Sequence, residues 1–142
     1  MRKIAVIASG LLVLAGAACT SKATARPPAL PHSVKVSEGD MFLKPSATKV
    51  AAGTVTFSVT NQGGMHHEFV IVTGDPTGTT GDEAGQVSES NHLGGDEGPE
   101  IGDIKPGQTK QLTASLSPGT STAMCNLPGH FTSGMHFTFT AA

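Results

Sequence analysis

Three residues near the C-terminus have the side chains and the spacing of a metal site. Cys125, His130 and Met135 are separated by four residues each, so one short loop carries a thiol, an imidazole and a thioether. Such ligands suit copper that cycles between Cu(I) and Cu(II), and two histidines, one cysteine and a weak axial methionine form the blue-copper arrangement. One more histidine is needed, and the chain offers His66 and His67 upstream.

Both segments resemble those of a known family. The stretch Cys125–Met135 is similar to the C-terminal copper loop of the cupredoxins, the plastocyanin/azurin family of small blue copper proteins. The pattern Asn61-x-Gly63-x-x-x-His67 is similar to the first-histidine loop of the same family. The resemblance covers about residues 33–140, and the C-terminal loop is its most specific part.

The resemblance implies a ligand set, a fold and a function. It implies one type 1 copper ion bound by His67, Cys125, His130 and Met135, held at one end of a Greek-key β-sandwich. It also implies that the protein carries single electrons. Many family members have asparagine directly after the first ligand histidine, where its amide ties the two copper loops together. This chain has Glu68 there, so we expect different hydrogen bonding between the loops.

Two alternatives concern the identity of the site. His66 competes with His67 for the first-ligand role, because neighbouring residues on a strand face opposite sides. The spacing from the asparagine and the glycine of the pattern favours His67. A zinc site built from the same cysteine and histidines is chemically allowed, but the thioether of Met135 suits copper better.

The hydrophobic pattern predicts an all-β domain over residues 32–142, since no helical periodicity follows the first nineteen residues. Short segments alternate between apolar and polar residues and are separated by Pro-Gly and other turn signals, which is typical of a sandwich. One segment is instead continuously apolar, as in a strand buried on both sides. The predicted strands are Ser33–Val36, Thr54–Thr60, Phe69–Val72, Gln108–Leu116, Thr120–Cys125 and Met135–Thr140.

A long polar region interrupts this pattern. Gly74–Gly98 is rich in glycine, and we expect it to be a large irregular connection with a short helical turn. No lysine or arginine occurs between Lys49 and Lys105, whereas acidic residues are frequent from Asp75 to Asp103. This acidic stretch has two interpretations: a solvated loop, or a patch that steers a cationic partner.

The N-terminus has the pattern of an export signal. A charged start and an apolar run that ends at Cys19 make residues 1–19 a leader, too short to span a bilayer as a helix. Small residues before Cys19 resemble a bacterial lipoprotein leader, which implies membrane attachment through lipidated Cys19. Ordinary cleavage after Ala17 fits equally well. Either way we expect an exported protein, periplasmic or at the cell surface, with residues 20–31 as a flexible tether.

The charge and the cysteine content of the chain argue against some classes of function and favour others. The formal charge of −2 gives no basic footprint for nucleic acid. Cys125 is the one cysteine after residue 19, so it has no partner for a disulfide in the predicted domain. Because a free thiol is a liability in an oxidising compartment, we expect Cys125 to bind a metal. We expect a monomer that docks transiently with redox proteins near His130. The alternative function is storage or delivery of copper; an enzyme is disfavoured because four protein ligands leave no position for a substrate.

Overall fold

The strands follow the alternation of the sequence, because a strand of period two buries one face and exposes the other. The computed structural model describes residues 26–76, 85–88, 93–94 and 98–142. Within these ranges the strands are β1 (Ser33–Gly39), β2 (Phe42–Pro45), β3 (Lys49–Val50), β4 (Gly53–Asn61), β5 (His67–Thr73), β6 (Glu100–Ile104), β7 (Thr109–Leu116), β8 (Gly119–Met124) and β9 (His136–Ala141).

The strands form two sheets that pack face to face. The first has the order β2-β1-β4-β7 and the second the order β3-β9-β8-β5-β6. Most neighbours are antiparallel, whereas β1 with β4 and β3 with β9 are parallel. The part of the chain that the structure describes contains no helix. The prediction of an all-β, Greek-key sandwich is therefore confirmed.

All six predicted strands form, with ends displaced by up to three residues. Three strands were not predicted: β2 and β3 are only four and two residues long, and β6 lies at the end of the acidic stretch. The acidic stretch is therefore not a loop throughout, because its C-terminal end, after the predicted connection Gly74–Gly98, forms β6. Within the long connection, 85–88 have no regular secondary structure, whereas 77–84, 89–92 and 95–97 lie outside the described residues.

The core between the sheets is centred on Phe57 of β4. Its ring lies 5.6 Å from that of Phe69 and 5.5 Å from that of Phe139, so both sheets contribute to one aromatic cluster. Val55 and Val59 are buried on the same face of β4 as Phe57, as the alternation predicts. Burial of such apolar surface is the main stabilising contribution to the fold.

The strand β5 is buried on both of its faces, as its continuous apolar run predicts. Phe69 and Ile71 point into the core between the sheets. Val70 and Val72 point to the opposite face of the second sheet, where they join a smaller cluster with Val87, Met124 and Phe131. A strand fixed by packing on two sides is a rigid support for the residue that begins it.

The N-terminal part of the prediction is only partly described. The predicted leader, residues 1–19, and the first half of the predicted tether, residues 20–25, lie outside the described residues. Residues 26–31 have no regular secondary structure, and several are exposed. Nowhere in the described ranges is there a helix with the length and apolar character needed to cross a membrane.

Candidate metal centre

The C-terminal loop, residues 125–135, connects β8 to β9 and folds back on itself. The N–H of Cys125 donates to the carbonyl of Met135 at 3.0 Å, and the N–H of Met135 donates to the carbonyl of His130 at 3.1 Å. Gly134 has a φ of 95°, a left-handed value that suits glycine. These local bonds bring the three predicted ligands of the loop to one end of the sandwich.

The start of the C-terminal loop is tied to the segment 85–88. Asn126 Oδ1 accepts the N–H of Val87 at 2.7 Å, and Asn126 Nδ2 donates to the carbonyl of Val87 at 2.9 Å. Gln86 Nε2 donates to the carbonyl of Asn126 at 2.7 Å. Because Asn126 directly follows the cysteine, these bonds fix the backbone beside the thiol.

The first-histidine loop, residues 61–67, connects β4 to β5 and is held by the side chain of Asn61. Asn61 Nδ2 donates to the carbonyls of Met65 at 2.7 Å and Ile104 at 2.8 Å. Asn61 Oδ1 accepts the N–H of Gly63 at 2.8 Å. The asparagine of the sequence pattern therefore shapes the loop by satisfying its backbone, rather than by touching a metal.

The two loops bring three donor atoms to one point. The Nδ1 atoms of His67 and His130 are 3.3 Å apart, and Cys125 Sγ lies 4.0 Å from the first and 3.2 Å from the second. His67 is buried, and together the three residues form a group able to hold a metal ion. His66 does not reach this point: its side chain is 64% exposed and faces Asp103 at 3.8 Å.

The fourth predicted ligand, Met135, is fully buried in the main core cluster that also contains Cys125. Its backbone hydrogen bonds to both Cys125 and His130 place Met135 next to these two predicted ligands in the chain fold. On the opposite side the backbone N–H of Glu68 points to Cys125 Sγ at 3.5 Å. This main-chain contact links β5 to the C-terminal loop at Glu68, the residue directly after His67.

A carboxylate from a third segment faces the outer side of the centre. Asp40 Oδ1 accepts the N–H groups of Gly64 at 3.1 Å and Met65 at 3.2 Å, and it lies 3.4 Å from Nε2 of His67. The N–H donors of Gly64 and Met65 hold the pKa of the Asp40 carboxyl below its usual range. Asp40 is therefore an anion at neutral pH.

Burial makes the predicted ligands neutral before a metal enters. It raises the pKa of the Cys125 thiol to about 11, although backbone N–H groups of Glu68 and Leu127 act in the opposite direction. Burial also lowers the pKa of His67, against the effect of Asp40, and lowers that of His130. A metal ion must therefore displace the thiol proton to bind the sulfur.

Residues 31–141 match the model of the copper binding proteins of the plastocyanin/azurin family. The chain belongs to this family. It is therefore a cupredoxin, and its cofactor is copper. A curated relative, the copper-resistant cuproprotein CopI of Pseudomonas aeruginosa, is 29% identical and aligns over 73% of this chain and 72% of its own length.

Solved structures of other cupredoxins share the fold. Dithionite-reduced auracyanin from Roseiflexus castenholzii has a TM-score of 0.61 at 20% identity, covering 80% of this chain and 98% of its own. Auracyanin A from Chloroflexus aurantiacus, described as a blue copper protein, has a TM-score of 0.57 at 20% identity, with coverages of 79% and 99%. An azurin from Methylomonas has a TM-score of 0.54 at 20% identity, with coverages of 78% and 97%.

The donor atoms of this cupredoxin fit a single copper ion. Three ligands spread evenly around one ion, with metal–nitrogen and metal–sulfur bonds of about 2.0 and 2.3 Å as for zinc, would have their donor atoms roughly 3.5 to 3.7 Å apart. The three separations here range from 3.2 to 4.0 Å, around that spacing. The two imidazoles, the thiol and the buried thioether are the soft and borderline donors that copper prefers.

His130 connects the buried centre to the surface. Together with Met65 and His66 it lines a shallow cavity of about 310 Å³ whose walls are almost entirely apolar. Met65 is 42% exposed and is one of the two large apolar side chains that are exposed among the described residues. The surface above the cupredoxin centre therefore combines a thioether with two imidazole rings.

The sequence interpretation missed two acidic residues near the centre. Asp40 gave no signal, because a lone aspartate in a turn has many ordinary uses. Glu38 occupies an inward-facing position of β1 in line with Val34 and Val36, and this alternation was the signal that its carboxyl is buried. Both Glu38 oxygens lack a hydrogen-bond partner within the described residues, and burial raises its pKa to about 7.

Proposed function

We propose that the protein carries single electrons through one type 1 copper ion bound by His67, Cys125, His130 and Met135. The observation that supports this most directly is the convergence of two Nδ1 atoms and one Sγ atom on a single buried point. Bound copper would supply the chemistry by accepting one electron as Cu(II) and donating it again as Cu(I). The chain supplies the ligands, their orientation and the exclusion of water.

Rigidity of the ligands is the property that suits electron transfer. His67 begins a strand that is buried on both faces, and the C-terminal loop is closed by its own backbone bonds. Ligands that move little allow Cu(I) and Cu(II) to share nearly one geometry, which keeps the reorganisation small. With four protein ligands no coordination position is left for a substrate, and we therefore propose a carrier rather than an enzyme.

The surface around His130 is the proposed docking site for redox partners. His130 would be both a ligand and part of the surface, so electrons would cross only one side chain between copper and a docked protein. Met65 and the apolar walls of the cavity at this position favour brief contact, because little charge has to be desolvated there. We propose transient docking by a monomer and no role in nucleic-acid binding.

The proposed location is extracytoplasmic. It rests on the leader pattern of residues 1–19 and on the use of a single cysteine after that leader. Lipid attachment through Cys19 remains an expectation from the leader sequence. The extracytoplasmic location places the protein in a compartment where other exported redox proteins are within reach.

The second candidate function is storage or delivery of copper. The relative CopI is named for copper resistance, which favours a role in copper handling. In this chain, Met65 and His66 are exposed beside His130 and carry donors that bind Cu(I) and Cu(II). A copper ion could be passed at this position to another protein without opening the fold.

The visible spectrum of the copper-loaded protein tests the proposed centre. We expect intense absorption in the red from the Cu(II)–thiolate bond, which disappears on reduction. His67→Ala should abolish this absorption, whereas the neighbouring His66→Ala should retain it. Absence of the band in the wild type, or its loss only in His66→Ala, would contradict the ligand assignment.

Kinetics separate the two candidate functions. For an electron carrier we expect rapid exchange between the oxidised and reduced protein, together with slow loss of copper to a strong chelator. Met65→Ala, which keeps all four proposed ligands, should then leave the loss of copper slow. Rapid copper transfer from the wild type that slows in Met65→Ala would instead support delivery of the metal.

A further inference from the structure

Asp40 lies at the tip of the β1–β2 hairpin, next to the metal centre. Gly39 ends β1 and Phe42 begins β2, so Asp40 and Met41 form the whole turn. Met41 has a φ of 65°, a left-handed value that is unfavourable for a residue with a side chain and persists where surrounding contacts fix it. The contacts of Asp40 with the first-histidine loop provide such a restraint.

The carboxylate of Asp40 holds the first-histidine loop by its backbone. It accepts the N–H groups of Gly64 and Met65, as described above. Gly63 packs so closely that a Cβ atom there would clash with Asp40 Oδ1 and lie 2.8 Å from the Asp40 nitrogen. The position of the carboxylate relative to the loop that leads to His67 is thus fixed by several independent contacts.

The two ring nitrogens of His67 have different surroundings. Nδ1 faces Cys125 and His130. Nε2 is buried, has no hydrogen bond of standard geometry within the described residues, and lies 3.4 Å from Asp40 Oδ1. A neutral imidazole carries one proton, and the nitrogen that binds a metal must offer its lone pair. If Nδ1 is the ligand, the proton belongs on Nε2, where it faces the carboxylate.

We propose that Asp40 is a positioning residue for copper: it holds His67 in the tautomer with the proton on Nε2 and favours Cu(II) over Cu(I). The inference rests on the proposed role of His67 as a copper ligand. A carboxylate that faces the outer nitrogen of a ligand histidine orients the ring and raises its basicity. Because 3.4 Å exceeds the usual hydrogen-bond length of about 2.9 Å, charge contributes more to this contact than hydrogen bonding does.

The test compares Asp40→Asn with Asp103→Asn in the full chain. Each variant loses one negative charge beside the first-histidine loop, but Asp103 faces the exposed His66 rather than His67. Asp103 has a φ of 48°, which asparagine tolerates well, so this control should fold normally. The readouts are the affinity for Cu(II) and the one-electron reduction potential.

We expect Asp40→Asn to weaken Cu(II) binding about tenfold to a hundredfold. Its reduction potential should also rise, because Cu(II) binding should weaken more than Cu(I) binding. The rise is about 59 mV for each tenfold difference between the two losses of affinity. Asp103→Asn should leave both quantities near the wild-type values. An unchanged potential in Asp40→Asn, or equal shifts in the two variants, would overturn the inference.

A second readout does not depend on copper. Nitrogen-15 NMR of the metal-free protein reports which ring nitrogen of His67 carries the proton. We expect the Nε2–H tautomer in the wild type and a mixture of tautomers in Asp40→Ala. Predominance of the Nδ1–H tautomer in the wild type would overturn the inference, even if no variant folds. Failure of the wild type to bind copper would instead contradict the proposed function, and the tautomer would remain measurable.

Discussion

The two loops of the copper centre are held in place by different kinds of interaction. The C-terminal loop is closed mainly by its own backbone: Cys125 bonds to Met135, Met135 to His130, and the N–H of Ser133 donates to the carbonyl of Gly129 at 3.1 Å. Each of these bonds joins residues at most ten positions apart. Apart from the bonds that join Asn126 to Gln86 and Val87, the geometry of this loop is therefore a local property of its sequence.

The first-histidine loop depends instead on side-chain contacts with distant parts of the chain. The carboxylate of Asp40 in the β1–β2 turn holds Gly64 and Met65, and the amide of Asn61 joins the loop to Ile104 of β6. These contacts span more than twenty residues of sequence. The loop is thus held by contacts that exist only in the assembled sandwich.

Because the two loops are held by different interactions, they contribute to the copper centre in different ways. The C-terminal loop provides three of the four proposed ligands from one short segment. The position of His67 relative to that segment is set by the packing of β5 and by the side chains of Asp40 and Asn61. Changes far from the ligands in sequence should therefore alter the centre through His67, whereas residues 129–135 of the C-terminal loop should resist loss of a single polar side chain.

The largest effect is expected where Asn61 is removed. Asn61→Ala deletes three buried or half-buried hydrogen bonds, to Met65, Ile104 and Gly63. At about 1 kcal/mol each, plus the cost of unpaired backbone groups, the free energy of unfolding should fall by about 3 to 4 kcal/mol. Urea denaturation of the copper-free protein measures this change.

The matched control lies in the C-terminal loop. Ser133→Ala removes a hydrogen bond of 2.7 Å from Ser133 Oγ to the carbonyl of Gly129, but the N–H of Ser133 and the hydroxyl of Thr132 still donate to the same carbonyl. We expect a loss below about 1 kcal/mol. Equal losses in Asn61→Ala and Ser133→Ala would show that the two loops are not held differently.

The same contrast explains what the sequence could predict. Spacing alone brought Cys125, His130 and Met135 into one predicted site, because residues of one short loop are necessarily close in space. The alternation of apolar residues gave the longer strands, and the continuous run in β5 correctly indicated burial on both faces. These are signals that depend on near neighbours in the chain.

Features that depend on distant segments were not predictable. The strand β3 is two residues long and forms by pairing with β9, and β6 forms by pairing with β5 in spite of its polar composition. The proximity of Asp40 to His67 requires the β1–β2 turn to lie against the first-histidine loop. A single sequence carries no periodicity or spacing that reports such contacts.

A smaller effect is expected from Glu38, which pairs in register with Asn61 and Leu43 under the first-histidine loop. Its pKa is raised from 4.5 to about 7 because its carboxyl is buried. The folded state thus binds the proton more tightly than the unfolded chain does. This contribution to stability is present in full below pH 4.5 and is lost as the pH rises through about 7, a total of roughly 3 kcal/mol.

The measurement is urea denaturation of the copper-free protein at several pH values between 5 and 8, compared with Glu38→Gln. The variant keeps the shape of the side chain but does not ionise, so other groups that titrate cancel in the difference. We expect the wild type to lose stability relative to Glu38→Gln as the pH rises. A constant difference across this range would contradict the buried, proton-binding state of Glu38.

The smallest effect separates two adjacent glycines of the first-histidine loop. A Cβ atom at Gly63 would clash with the carboxylate of Asp40, whereas one at Gly64 would lie 3.6 Å from Asp40 Oδ2, an ordinary contact. Gly63→Ala should therefore displace Asp40 and lower the free energy of unfolding by about 1 to 3 kcal/mol. Gly64→Ala should be neutral, or stabilising by a few tenths of a kcal/mol up to about 1 kcal/mol. If both substitutions are tolerated equally, the close packing of Asp40 against this loop does not hold His67, and the contrast between the two loops weakens.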